Sequence, residues 1–267
     1  TRRAYVFFRR YLALLLQRSV SAPSGLRSRK KTYARTRLRL EMLTMIHFHI
    51  ITLFPESIEP YLKASILGRA AKDKKIKISY YDPKKFIYPE RSRRARVQDA
   101  RVDRRPYGGG PGMVLRPEPI LKAVQKAIGR KKNVQIIFFS TDGAAFDEAQ
   151  AKELSKKKDI IFICGHYEGI DARVQKILKA KKVSVGPYVL TGGELPAATI
   201  IDAVARFVPG VLGKAESLEA SRVSSPEVYT RPETLVWKGK KYKVPAVLLS
   251  GHHGKIDEWK NKKRGGC

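Results

Sequence analysis

The sequence predicts an α/β protein in which a mostly parallel sheet carries helices on both faces. From Met45 onward, apolar segments of strand length alternate with amphipathic segments of helix length. Residues 133–140 and 159–164 are apolar over most of their length, which is typical of strands buried on both faces. The order strand, helix, strand favours crossover connections and parallel pairing.

Hydrophobic spacing predicts each element in turn. Residues 46–53 alternate in polarity and end at Pro55, which predicts the first strand, and residues 75–82 predict the second. Between them, residues 57–73 place apolar side chains three and four positions apart, which predicts one helix. Later strands are predicted at residues 133–140, 159–164 and 182–189. Helices are predicted at residues 117–129, 147–157, 171–180 and 196–208. Beyond residue 213 we predict a strand pair within residues 237–249 and a helix at residues 256–263.

The composition indicates a polyanionic partner. The 267 residues include 55 Lys and Arg against 24 Asp and Glu, a formal net charge of +31, so nucleic acid is the leading class of partner. No apolar run approaches the ~20 residues of a membrane-spanning helix, so we expect no membrane partner. The two cysteines, Cys164 and Cys267, are too few for a disulfide framework and favour the cytoplasm.

Residues 1–44 differ in character from the rest. They contain 12 Lys and Arg and one acid, Glu41, and show no sustained periodicity. Three interpretations stay open: upstream sequence that is not part of the fold, a targeting segment, and a basic arm that contacts phosphates. We expect the folded part to begin at Met45.

Three glycine-rich turns predict where a ligand binds. They lie at residues 108–112, 165–169 and 191–196, and the last two follow predicted strands. Ligands of open α/β sheets bind at the carboxyl ends of strands, where glycine allows close approach to the backbone. The sequence has neither a dinucleotide-binding Gly-x-Gly-x-x-Gly at the first strand–helix turn nor a phosphate-binding loop of the Walker type. We therefore expect a nucleotide-like ligand held in another way.

Two further groups of residues allow either a purely structural or a functional interpretation. Seven arginines lie within residues 91–105, beside Tyr107, and this density favours phosphate contacts over a merely solvated loop. His47 and His49 alternate on the first predicted strand. Because the sequence offers them no partner, we interpret them as structural residues and assign no metal ligand.

Six ordered motifs identify a family. They read DRRPYGGGPGM at residues 103–113, ICGHYEGID at 163–171, GPYVLTGGELP at 186–196, RFVPGVLG at 206–213, YTRP at 229–232 and VLLSG at 247–251. Together they closely resemble the bacterial tRNA (guanine-N1)-methyltransferases, which methylate the guanosine just 3′ of the anticodon. The resemblance implies a SPOUT fold with a trefoil knot, a homodimer, tRNA as the substrate and S-adenosylmethionine as the methyl donor.

The resemblance also implies the methyl-donor pocket, residue by residue. The matching positions follow three predicted strands, and two of the three turns are glycine-rich turns described above. The implied pocket residues are Ser140, Thr141, Gly143, Gly165, Tyr167, Glu168, Gly169, Val185, Gly186, Tyr188, Leu190, Gly192 and Gly193.

Methylation of guanine N1 requires removal of its proton and stabilisation of the charge that develops on O6. Arg206 matches the family's arginine for the second task. The position of the family's aspartate base is occupied by Ser221 here. We therefore expect Glu219 to act as the base in its place, with Glu216 as the second candidate. The alternative interpretation is that Glu219 is only a polar residue of the linker. Asp103 matches a family aspartate associated with the site.

For substrate binding, the resemblance and the local charge imply Arg69, Arg104, Arg105 and Tyr107. Arg104 replaces a second acid of the family and makes this loop more basic, which weakens a metal role there. Magnesium is still expected from the resemblance, without assigned ligands.

The predicted organisation has four parts: a basic extension at residues 1–44, a SPOUT methyltransferase domain at residues 45–213, a flexible linker at residues 214–232 and a truncated tRNA-binding region at residues 233–267. The family's helical domain continues beyond the position of Trp259, which motivates the last assignment. There are two alternative functions: a catalytically weakened relative that only binds RNA, and a methyltransferase with another target atom.

Overall fold

A computed structural model describes residues 45–87, 101–212 and 227–264. This part of the chain contains nine strands: β1 (Ile46–Ile51), β2 (Ile76–Tyr81), β3 (Asp103–Arg104), β4 (Val114–Leu115), β5 (Gln135–Ala145), β6 (Asp159–Ile163), β7 (Lys181–Ser184), β8 (Thr234–Trp237) and β9 (Lys240–Lys243). Its helices are α1 (Glu59–Lys63), α2 (Ser65–Lys72), α3 (Pro117–Ile128), α4 (Glu148–Leu154), α5 (Ala172–Leu178), α6 (Glu194–Ala205), α7 (Ala246–Leu249) and α8 (His253–Arg264).

Five strands form one sheet in the order β2-β1-β6-β5-β7, and all four pairings are parallel. Two small antiparallel pairs, β3 with β4 and β8 with β9, accompany it. The prediction of an α/β protein with a mostly parallel sheet is confirmed.

The sheet has a hydrophobic core on each face because side chains alternate along its strands. On one face, Phe48, Ile50 and Phe162 are fully buried together with apolar residues of α1, α2, α4 and α6. On the other face, Ile51 and Ile163 pack with residues of α3 and α5. Burying a side chain of this size stabilises the fold by about 1.5–3 kcal/mol. The continuous apolar runs of the sequence therefore reflect burial on both faces, as predicted.

The prediction of a single helix over residues 57–73 is wrong. Ala64 has an extended backbone, with φ −91° and ψ 162°, and this ends the hydrogen-bond ladder between α1 and α2. After the break, α2 lies close against the end of α1. A Cβ on Gly68 would stand 2.0 Å from the carbonyl oxygen of Lys63, so only glycine fits this crossing.

Two strands of the sheet also differ from prediction at their carboxyl ends. β5 continues to Ala145, and its register against β7 shifts between Phe139 and Ala144, so that the intervening residues bulge out. β7 ends at Ser184 instead of Val189, because the Ser184 hydroxyl bonds the backbone of Gly186 and turns the chain. These two changes shape the edge where the glycine turns meet.

The carboxyl-terminal strand pair begins three residues earlier than predicted, at Thr234, and its turn lies at Lys238 and Gly239, around which the pair was expected. β8 and β9 pair in register from Thr234 with Lys243 to Trp237 with Lys240. The two turn residues, Lys238 and Gly239, both have positive φ, 49° and 76°, as the tight hairpin turn of twisted strands requires. None of the helices in the described ranges has the length and apolarity needed to cross a membrane.

Two histidines of β1 lie at the amino end of the sheet. His49 is fully buried and His47 is half-buried. Burial and, to a smaller extent, the neighbouring charges of His49, Lys77 and Lys131 together lower the pKa of His47 to about 4, and Asp159 opposes this shift. Burial also lowers the pKa of His49. Both imidazoles are therefore neutral at pH 7.

Candidate functional site

A cavity of about 190 Å³ lies at the carboxyl ends of β5, β6 and β7, three neighbouring strands of the sheet. Because parallel strands end at the same edge, the segments that follow them converge there. The walls come from residues 139–141, 165–169, 183–186, 188–193 and Pro196.

Twelve of the thirteen residues predicted for the methyl-donor pocket line this cavity, and Gly143 is the exception. Gly143 lies in the bulge of β5, where a Cβ would stand 2.6 Å from the backbone nitrogen of Val183. Gly143 therefore contributes to the cavity indirectly, because its lack of a side chain lets β5 approach β7 closely. Of the lining residues that the sequence did not predict, Phe139, Val183 and Pro196 add apolar surface.

Tight backbone packing joins two of the turns. Gly193 donates its N–H to the carbonyl oxygen of Gly165 at 3.0 Å. A Cβ on Gly193 would stand 2.6 Å from the Cα of Cys164, which is backbone and cannot yield easily. Glycine is thus required here because the start of α6 packs against the backbone that follows β6, and not because of a positive φ.

A buried polar network lies beside the cavity. The Thr52 hydroxyl, at the end of β1, donates to Glu194 Oε1 at 2.5 Å, and Glu194 Oε2 lies 2.8 Å from His166 Nε2. Thr52 and Glu194 are 1% and 5% exposed. Glu194 opens α6, where the helix dipole favours a negative side chain. The sequence did not reveal this network, because 142 residues separate its two most buried members.

The glycine run at residues 108–112 lies in the loop of the β3–β4 hairpin, which docks on the cavity wall. Leu115 of β4 receives the Asp171 N–H and donates its own N–H to Gly169. A Cβ on Gly112 would overlap the side chain of Glu168. This hairpin therefore lies next to the predicted pocket.

The hairpin also carries four of the predicted functional residues, of which Arg104 is exposed on β3. Asp103 is 7% exposed and accepts a hydrogen bond from Arg101 Nε at 3.2 Å. Arg105 and Tyr107 are exposed, and Tyr107 reaches 101% exposure. The exposed cation and ring are available to a large ligand, whereas Asp103 is held inside.

Other predicted residues lie away from the cavity. Arg206 follows the last residue of α6, whereas the cavity is lined by Pro196 in its first turn, and the ten residues from one to the other span about 15 Å of helix. Arg69 is exposed on α2. Glu219, its alternative Glu216 and most of the arginines at residues 91–105 lie outside the described residues.

The arrangement suits a ligand with both apolar and polar parts, since glycine backbones and apolar side chains share the walls. It offers no cysteine nucleophile: Cys164 is 1% exposed, and burial together with Glu194 raises the pKa of its thiol well above the ordinary range. Cys164 is a core residue.

A profile of the family described as tRNA (Guanine-1)-methyltransferase TrmD matches residues 46–266 of this chain. The chain belongs to this family. Curated relatives called tRNA (guanine-N(1)-)-methyltransferase include one from Clostridioides difficile, 40% identical over 81% of this chain and 91% of the relative. Another, from Carboxydothermus hydrogenoformans, is 45% identical over 80% of each chain.

A solved relative supports the fold as well as the family. The crystal structure of tRNA (m1G37) methyltransferase from Aquifex aeolicus superposes with a TM-score of 0.65 at 37% identity, covering 82% of this chain and 89% of that one. The chain is therefore a methyltransferase, and membership of the tRNA (guanine-N1)-methyltransferase family implies S-adenosylmethionine as its methyl donor.

Proposed function

We propose that this chain transfers a methyl group from S-adenosylmethionine to N1 of the guanosine just 3′ of the anticodon in tRNA. The observation that carries the proposal is the cavity at the carboxyl ends of β5, β6 and β7, in a chain of the tRNA (guanine-N1)-methyltransferase family. A weakened RNA-binding relative is disfavoured because the cavity and its glycine contacts are intact.

The residues that line the cavity fit the methyl donor. Adenosine needs apolar walls, which Val183, Val185 and Leu190 supply, and hydrogen-bonding groups close to its ring, which backbone beside Gly165 and Gly193 supplies. When bound, S-adenosylmethionine supplies a methyl group on a positively charged sulfur. The twelve predicted residues in the walls are proposed to hold it.

The chain's own groups must prepare the guanine. A carboxylate near N1 would take the proton as the nitrogen becomes nucleophilic, and we assign this role to Glu219, with Glu216 as the alternative. Charge then builds on O6, where the Arg206 guanidinium would stabilise it. Asp103, buried in the docked hairpin, is proposed to position the substrate or the loop that carries it.

The placement of Arg206 supports a homodimer. An arginine side chain reaches about 6–7 Å, whereas Arg206 stands about 15 Å along α6 from Pro196, which lines the cavity of its own chain. If Arg206 acts at the reacting guanine, it must therefore come from a second copy. A two-fold dimer supplies this arginine to both sites at once.

The tRNA would contact the exposed basic and aromatic residues of the docked hairpin. Arg104, Arg105 and Tyr107 lie on it and are exposed, so they suit phosphate contacts and base stacking. Arg69 on α2 adds a further cation. Magnesium is proposed from the resemblance alone, and chelator titration of the turnover rate tests it.

The decisive assay uses the full chain, unmodified tRNA and labelled S-adenosylmethionine, followed by mapping of the methylated nucleoside. We expect N1-methylguanosine at the position 3′ of the anticodon. Tight tRNA binding without product would favour the RNA-binding relative, and another methylated nucleoside would contradict the assigned target. Glu219→Gln should abolish turnover and Glu216→Gln should not; the reverse result would move the base to Glu216.

Mixing two inactive variants tests the homodimer. Arg206→Ala removes the arginine, and Gly193→Leu blocks the cavity through contact with the Cys164 backbone. If each site combines residues of two copies, random mixing restores about a quarter of wild-type activity, because half the dimers are mixed and each of these has one intact site. No recovery after verified subunit exchange would refute the shared site.

A further inference from the structure

Three potential metal ligands meet at the amino end of the sheet, on the neighbouring strands β1 and β6. His47 pairs in register with Asp159. Asp159 Oδ1 lies 3.0 Å from His49 Nε2 and 3.8 Å from His47 Nδ1. One ligand atom from each of the three residues lies within 4.8 Å of the others. This cluster could not be recognised from the sequence, because Asp159 follows His49 by 110 residues.

The remaining ring nitrogen of each histidine is also held. His47 Nε2 lies 2.8 Å from the Ser79 hydroxyl, and His49 Nδ1 lies 3.1 Å from the Tyr81 hydroxyl. Both partners belong to β2, the strand on the other side of β1. Metal-binding histidines in proteins are oriented in this way, by a hydrogen bond to the nitrogen that does not bind the ion.

The cluster is separate from the methyl-donor cavity. Asp159 begins β6 and Gly165 follows its end, so six residues of extended chain, about 20 Å, lie between them. No step of the proposed methyl transfer uses His47, His49 or Asp159. The three are buried or half-buried together, and the hydrogen bond between His49 and Asp159 compensates for the burial of these two polar side chains.

The donor set selects a class of ion. Neutral imidazole nitrogens suit Zn²⁺, Co²⁺, Ni²⁺ and Cu²⁺, whereas Mg²⁺ prefers oxygen ligands and keeps its waters. In a tetrahedral zinc site the ligand atoms lie about 3.3 Å apart, and the two separations to Asp159 bracket this value. The ammonium groups of Lys77 and Lys131 oppose a cation here, and the Asp159 carboxylate offsets them.

We propose that His47, His49 and Asp159 form a site for a divalent transition-metal ion, with zinc as the expected occupant and water as its fourth ligand. The ion joins β1 to β6, and through Ser79 and Tyr81 it fixes β2 as well. Its role is structural: it holds the centre of the sheet together at the end away from the methyl-donor cavity.

The test uses the full chain purified without a polyhistidine tag and stripped with a chelator. Titration calorimetry with Zn²⁺ should give one high-affinity ion per chain, and Co²⁺ should give the intense visible absorption of a tetrahedral site. At a free zinc concentration 100-fold above Kd, the melting temperature should rise by about 5–10 °C. Mg²⁺ at millimolar concentration should neither bind here nor displace zinc.

Variants separate this site from other histidines. His47→Gln should abolish the high-affinity event and the cobalt spectrum while leaving the far-ultraviolet circular dichroism unchanged, because His47 is only half-buried. A folded Asp159→Asn variant should likewise lose the high-affinity event and the cobalt spectrum. The matched control changes the exposed histidines His252 and His253 to glutamine and should leave binding intact.

Three results would overturn the proposal: no stoichiometric zinc binding by the wild-type chain, unchanged binding in folded His47→Gln, or loss of binding in the His252 and His253 control. None of them depends on methyltransferase activity, so a failed methylation assay leaves this test intact.

Discussion

Replacing Thr52 with valine tests the buried network beside the cavity. Valine has nearly the shape of threonine but lacks the hydroxyl, which donates to Glu194 and accepts the Phe54 N–H at 3.0 Å. A hydrogen bond to a charged group contributes about 1.5–3 kcal/mol and a neutral one about 0.5–1.5 kcal/mol. Because Glu194 is 5% exposed, water cannot readily replace the lost donor. We expect Thr52→Val to lower the free energy of unfolding by about 3 kcal/mol.

Thr52→Ser is the matched control, since it keeps the hydroxyl and removes only a buried methyl group. That loss should cost about 1 kcal/mol. Urea denaturation followed by far-ultraviolet circular dichroism, at one protein concentration, measures both variants. If the two free energies of unfolding agree within about 0.5 kcal/mol, the network does not stabilise the fold as argued.

Three further predictions concern other regions. Gly193→Ala should weaken binding of S-adenosylhomocysteine about tenfold or more by calorimetry, because its Cβ meets the Cys164 backbone, whereas Gly254→Ala, in open space, should change nothing. For the protein in the presence of a chelator, the free energy of unfolding should decrease as the pH falls from about 6.5 towards 4, because burial disfavours protonation of His47 in the folded state only. The variant His47→Gln should flatten this pH dependence. Arg105→Ala should lower tRNA affinity and reduce the slope of log K against log salt by about 0.9, and an unchanged slope would remove Arg105 from the phosphate contacts.

The sequence was sufficient to predict the five strands of the large sheet, apart from the carboxyl ends of β5 and β7, because the information is local. The segments that became β1, β2 and β6 carry their own apolar pattern and need no partner to reveal it. The break between α1 and α2 was not predictable in this way. No proline or glycine marks Ala64, and the break reflects how Gly68 packs on Lys63.

The same distinction applies to the candidate site. The cavity walls were predicted because the turns carry specific motifs, and twelve of the thirteen positions lie there. The network of Thr52, Glu194 and His166 and the cluster around Asp159 were missed, because their members come from segments far apart in the chain. Arg206 was found by its motif, but only the length of α6 reveals its separation from the cavity.

The order of strands in the sheet has a consequence for synthesis of the chain. β1 lies at the interior of the sheet, yet its partner β6 emerges from the ribosome about a hundred residues later. At about 5–20 residues per second, one edge of β1 stays without a neighbour for about 5–20 s. An apolar strand with an open edge is prone to pair with other chains. During this period, the segment Ile46–Ile51 of the nascent protein is a defined binding site for chaperones that act on nascent chains.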